Sequence, residues 1–181
     1  KCWRTLWCLR HPVPRKARVM ALRDMFLKID GTKQGPIKGE SVDARHAGEI
    51  DVISWSWGMD SPSDAFGNAT ARTSFDQLRI VKGVDSASTA LMSALRFNEM
   101  VKKVVLTVRK SGGVEALEYL TITLERARVV QHQVGGGQGS DSAELSESFA
   151  LSFQKVMVEY APQGRTGSGR GTTTFQTEIN S

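Results

Sequence analysis

Residues 37–59, IKGESVDARHAGEIDVISWSWGM, place a glycine-marked turn, a polar corner and an aromatic strand in one uninterrupted run. Side chains along a strand alternate between its two faces with a period of two. From Asp51 to Trp57 that period puts Asp51, Ile53, Trp55 and Trp57 on one side and Val52, Ser54 and Ser56 on the other. Burying a large apolar side chain contributes roughly 1.5–3 kcal/mol, so the face carrying Trp55 and Trp57 is expected to look into the core. The small hydroxylated face, with Ser54 and Ser56, must then meet something other than the core.

Working outward, the same alternation recurs. Met25, Leu27 and Ile29 share one side of a first strand over Asp24–Asp30, and Leu78 and Ile80 do so in a strand over Phe75–Lys82. Gly31, Gly35, Pro36 and Gly39 break the chain between the first strand and the aromatic one, and one of these glycines is expected to take a positive φ. The polar segment Asp60–Thr73 is too long for a tight turn and reads as an extended loop or protruding hairpin. Asp85, Ser86 or Ser88 offers an oxygen for a helix start, Leu91, Met92 and Leu95 form an apolar stripe over Ala87–Phe97, and Asn98 suits the left-handed position that ends a helix.

Beyond the helix, Val104, Leu106 and Val108 alternate, Ser111-Gly112-Gly113 turns the chain, and Leu120, Ile122 and Leu124 alternate on the return. Past Leu124 the phase flips to Ala127 and Val129, which predicts a β-bulge near Glu125–Ala127. The last strand flips likewise, from Phe149, Leu151 and Phe153 to Val156, Val158 and Tyr160. Gly135-Gly136-Gly137-Gln138-Gly139 reads as a flexible loop, lacking the strand and helix that flank a dinucleotide-binding glycine motif. About seven strands, two phase breaks and one helix predict a mainly β fold, a small barrel or closed sandwich of antiparallel strands.

Composition limits the function. The chain has 181 residues, a size for one domain, and no apolar run approaches the ~18–20 residues of a membrane-spanning helix. The formal charge of +5 comes from one end: residues 1–19 hold six basic residues and no acid, leaving 18 basic residues against 19 acids from Met20 onward. The footprint of a nucleic-acid binder is therefore missing from the body. Residues 1–19 also hold both cysteines. With Cys2, Cys8 and His11 they offer at most three metal ligands, and their apolar stretch is too short and too interrupted for a cleavable signal peptide. They read as a basic extension, disordered or translated from upstream of Met20. Residues 164–181 read as a loose tail, in which Phe175 and Ile179 are the candidates to dock.

Nothing in the pattern pairs a nucleophile with a base. His46 reads as a locally bonded corner residue and His132 as a solvated strand end. Glu40, Asp43, Glu49 and Asp51 read as surface or contact charges rather than opposed glycosidase carboxylates, and Ser56 lies in no nucleophile elbow. No catalytic residue, metal site or cofactor is assigned.

Ile37-Lys38-Gly39-Glu40-Ser41, His46, Gly48-Glu49-Ile50-Asp51 and Trp55-Ser56-Trp57-Gly58 together resemble the haemolysin-coregulated protein (Hcp) family of the bacterial type VI secretion system. Val84-Asp85-Ser86-Ala87-Ser88, Glu118-Tyr119-Leu120 and Glu147-Ser148-Phe149-Ala150-Leu151-Ser152-Phe153 extend the likeness over about 20–163. The resemblance implies a barrel domain over 20–163, a homohexameric ring with a wide channel, and rings stacked into a tube. It implies a spike of the valine-glycine-repeat (VgrG) type, small effector proteins, and sheath and baseplate components as partners. The protein would assemble in the bacterial cytoplasm and leave through the machine. Ser54 and Ser56 are then candidates to line the channel and bind effectors. Asp24, Lys28, Asp30, Asp60, Asp64, Phe66 and Asn68 are candidates for ring contacts or stacking. A phage tail-tube-like protein, or a monomeric β-barrel binding or hydrolase module, remains the alternative.

Overall fold

The computed structural model describes residues 24–110, 117–138, 143–162 and 171–179. In chain order these form β1 (Met25–Gly31), β2 (Pro36–Ile37), β3 (Ile50–Ser56), β4 (Met59–Asp60), β5 (Ser74–Phe75), β6 (Leu78–Gly83), α1 (Ser88–Arg96), β7 (Met100–Lys110), β8 (Leu117–Gln138), β9 (Ala143–Ser152), β10 (Lys155–Tyr160) and β11 (Thr173–Glu178). Hydrogen-bonded neighbours run β8-β7-β1-β3-β6-β9 and back to β8, all antiparallel, which closes a six-stranded barrel. Closure satisfies the backbone groups that an open sheet would leave on its edges.

The long strand β8 makes closure possible. Its first half pairs with β10 and its second half with β9, while β7 runs along the other side. At the handover Arg126 takes φ 52°, an uncommon conformation for a residue with a side chain. There the buried positions switch from Ile122 and Leu124 to Ala127 and Val129. The phase flip read from sequence is thus a backbone kink at Arg126. The second flip is a break: β9 ends at Ser152, β10 starts at Lys155, and each pairs with its own half of β8.

The core is built from aligned rows. Leu27, Leu106 and Ile122 lie opposite one another, as do Ile29, Val104 and Leu124, and all six are buried. Helix α1 packs against β8 and buries Ala94 and Leu91; Met92, expected in that stripe, is 41% exposed. The start of α1 is set by Asp85, whose Oδ1 accepts from the Ala87 N–H at 2.8 Å, and by Ser88, whose Oγ accepts from the Asp85 N–H at 3.0 Å. Asn98 ends the turn at φ 49°, and Gly35 takes φ 70° in the turn between β1 and β2.

Three expectations are corrected. In β3 the buried residues are Ile50 and Val52, whereas Ile53 is 44% exposed and Asp51 half-buried. An irregularity between Val52 and Ser54 absorbs Ile53, so the phase is inverted before it and as expected after it, where Trp55 and Trp57 pack on the core. Gly135, Gly136 and Gly137 are not a loop but continue β8, paired with Ser146, Leu145 and Glu144. Thr173–Glu178, expected in a loose tail, pairs along β10 as β11, and Ile179 packs against the core. The turn at Ser111-Gly112-Gly113 and the extension 1–19 lie outside the described residues.

Candidate functional site

Four neighbouring segments, β3, β6, β9 and the second half of β8, form a wall with unlike sides. Directly opposed residues share a side in an antiparallel pair. The core side carries the row Trp55, Ile80, Phe149 and His132. The other side carries Ser54, Val81, Ser148 and Gln133, and next to it Ser56, Arg79, Ala150 and Gln131. Gly83, Ser146 and Gly135 extend it. On this side Ser54, Ser56, Arg79, Gln131 and Gln133 are exposed. An open depression of about 270 Å³ lies here, lined among others by Ser54, Ser56, Arg79, Gln131 and Ser148. The Arg79 guanidinium donates to Gln131 Oε1 at 3.1 Å. That bond spans Ala150, which sits between the two in register and is only 1% exposed although it faces away from the core.

The opposite flank of the molecule is different. Asp30, Lys103, Glu125, Lys155 and Glu178 stand in one row across five strands, alternating in sign. Lys155 Nζ lies 3.2 Å from Glu125 Oε2. This is the charged surface expected of a sheet facing water.

Beneath the wall is a buried ionic network. Lys82, fully buried, reaches Glu147 Oε1 at 2.5 Å and Asp85 Oδ1 at 2.6 Å. Ser88 Oγ donates to Glu147 Oε1 at 2.9 Å, tying the first turn of α1 to β9. His132 Nε2 faces Glu147 Oε2 at 3.2 Å without hydrogen-bond alignment. His132 is therefore a buried partner of a carboxylate, not the solvated strand end expected from sequence.

The polar corner before β3 has its own network. The His46 ring stacks on Phe26 with centroids 4.1 Å apart, and the Arg109 guanidinium also lies over the Phe26 ring, 5.0 Å from its centroid. His46 Nδ1 bonds to Glu49 Oε2 at 2.9 Å, the local contact expected of a corner residue. Arg109 donates to Asp43 Oδ2 at 2.7 Å and reaches Asp24 Oδ1 at 3.4 Å. The Arg109 bond, aided by the Arg45 backbone N–H, lowers the Asp43 pKa to about 2. With the folded value below the unfolded one, the unfolded chain takes up this proton first as pH falls. The stabilisation is complete above pH ~4 and is lost as pH drops through about 2. Asp43→Asn should flatten the fall in stability across that window, followed by urea melts at stepped pH; an unaltered slope would refute the pairing.

The candidate contact residues fall in two places. β4 and β5 pair at the base of a protruding hairpin closed by a bridge between Ser63 and Ala69. At its tip Asp64 accepts from the Phe66 and Asn68 backbone N–H groups, both at 2.9 Å, and from Asn68 Nδ2 at 3.0 Å. These bonds, the Asn68 side chain foremost, lower the Asp64 pKa. They also hold Phe66 out, 91% exposed, while Asp60 is exposed at the hairpin base. β1 lies between β3 and β7, so it offers no free edge. Lys28 is exposed, Asp30 half-buried, and Asp24 already bound to Arg109.

Arg79, Gln131 and Ser148 were missed by the sequence reading. The available signal was the alternation of Arg79 and Val81 against Leu78 and Ile80. Among the described residues no cluster of His, Cys, Asp or Glu could hold a metal ion, and no helix is long and apolar enough to cross a membrane.

Among the described residues the chain is a closed barrel with one helix, an aromatic-backed wall and a polar outer side. The model of the family described as type VI secretion system effector, Hcp, matches residues 26–160. The chain is 38% identical over 151 residues to protein hcp1 of Pseudomonas aeruginosa, covering 82% of this chain and 89% of that one. Hcp1 from Salmonella typhimurium superposes with a TM-score of 0.68 at 32% identity, covering 86% of this chain and 94% of that one. A type VI secretion system effector from Yersinia pestis does so at 0.69 and 28%, covering 86% and 100%. The chain belongs to the Hcp family. It is a structural, secreted component of the type VI secretion system, and assembly as a hexameric ring fits its fold.

Proposed function

We propose that six copies close head to tail into a ring whose channel is faced by the polar side of the β3-β6-β9-β8 wall. Heterologous contacts close into rings when the rotation between subunits permits it. Rings then stack through the β4–β5 hairpin, with Phe66 seated on the next ring and Asp60, Asp64 and Asn68 around it. Lys28 and Asp30 contribute side chains to ring contacts. The tube travels beneath a VgrG-type spike inside the sheath, and small effector proteins ride in the channel, stabilised by mass action on their folded, bound state. The task is structural and carries no catalytic step.

One observation carries this reading: the contrast between the two flanks. A water-facing sheet would be charged like the row from Lys103 to Glu178. The wall instead offers hydroxyls, amides and glycine around one arginine, Arg79, groups that donate and accept hydrogen bonds without filling a bore.

Ser56→Gln should leave the ring mass unchanged in size-exclusion chromatography with light scattering. It should reduce effector recovered in pull-downs by about tenfold or more, as expected when hydrogen bonds at a buried contact are lost. Unchanged recovery would refute the channel assignment.

A further inference from the structure

We infer that Arg79 makes the channel wall a receptor for carboxylates, so that the cargo it holds presents aspartate and glutamate side chains. The inference rests on the wall lining the channel, and adds a charge preference to it.

Of the residues lining the depression, Arg79 alone carries a formal charge. Some cations of the fold have carboxylate partners: Arg109 with Asp43, Lys82 with Glu147, Lys155 with Glu125, Arg126 with Glu178. Among the described residues none lies within ion-pair distance of Arg79, whose one hydrogen bond goes to the neutral Gln131 amide. A guanidinium has five N–H donors in a planar fork, and two parallel bonds to one carboxylate match it. The Gln131 bond across Ala150 holds the group in place, so less freedom is lost when a carboxylate arrives. Ser54, Ser56 and Ser148 supply hydroxyls beside it.

A ring would repeat this cation around the bore. Rings of one sign favour counter-ions and oppose like charges. A nucleic acid is the less fitting partner: a phosphate backbone calls for a row of cations, and here one arginine stands among hydroxyls.

The test uses ring-assembled protein and fluorescent peptides of equal length, one rich in glutamate, one in lysine and one in glutamine and serine, read by anisotropy at low and physiological salt. The wild type should prefer the glutamate peptide. Arg79→Gln should weaken that binding about tenfold or more with the ring intact by light scattering, and Arg79→Glu should shift preference to the lysine peptide. If Arg79→Gln binds the glutamate peptide as the wild type does while Ser56→Gln loses effector, the channel lining stands and the carboxylate receptor falls. If neither variant changes anything, both fall. Tighter, Arg79-dependent binding of a single-stranded oligonucleotide would overturn the assignment to acidic protein cargo.

Discussion

Glu147→Leu should destabilise the folded chain by roughly 3 kcal/mol, the lower end of the cost of breaking a buried ion pair, because Lys82 keeps Asp85 as a partner. Glu147 meets Lys82 at 2.5 Å and takes a hydrogen bond from Ser88, with His132 at its other oxygen. Removing it leaves Lys82, fully buried, with Asp85 as its remaining carboxylate. The double variant Lys82→Met/Glu147→Leu should recover most of the loss, because replacing both members of a buried pair by apolar groups is often near neutral. Urea unfolding of wild type, single and double variants measures the coupling directly. A single variant within about 1 kcal/mol of wild type, or a double variant no better than the single, would mean the network contributes little to folding. The pair also has a positional task. Lys82 and Glu147 face each other across β6 and β9, one residue from Val81 and Ser148 on the polar outer side, so their loss should also loosen the wall that carries Arg79.

How far the sequence reveals this arrangement depends on whether a feature is local. β1, β7 and the first half of β8 were legible because each is a clean period-two run whose apolar residues fill one core. The kink at Arg126 was legible because arginines stand where apolar residues had been. Ile53 was misplaced for the opposite reason: Ile50, Val52 and Ile53 are all apolar, so either phase of β3 satisfies the pattern, and the irregularity after Val52 leaves no mark in composition. Gly135–Gly137 and Thr173–Glu178 were read as loop and tail because their strand character comes from distant partners, β9 and β10, and not from their own propensity. His132 is hidden behind a second register shift, between Val129 and Gln131, that turns it inward. On the polar outer side of the wall, Ser54 and Ser56 share a face legible from one strand, whereas Arg79, Gln131 and Ser148 join them through pairings of strands far apart in sequence.

Gly39→Ala should be the most damaging single-methyl change at a glycine of the corner, and the reason is space rather than backbone angle. A Cβ there would sit 2.5 Å from the Glu49 carbonyl oxygen and 2.7 Å from Ile50 Cα, both backbone atoms that cannot swing aside. The two arms of the loop touch at this point through Gly39 N–H to Gly48 O at 2.9 Å and Ser41 N–H to Glu49 O at 3.0 Å. Forcing them apart should cost about 3 kcal/mol, the upper part of the range for overpacking, since backbone hydrogen bonds are stretched as well. Gly48→Ala is the control: its φ of +75° strains any side chain, but nothing lies within 4 Å, so the loss should be held to about 1–2 kcal/mol. Urea midpoints at unchanged slope would rank the two, and a larger loss for Gly48→Ala would show that the arms can separate cheaply. Because Ile50 opens β3, a displaced arm also shifts the start of the strand that presents Ser54 and Ser56. With effector held against Ser54 and Ser56 as proposed, Gly39→Ala should lose it from whatever rings survive, whereas Gly48→Ala should keep it.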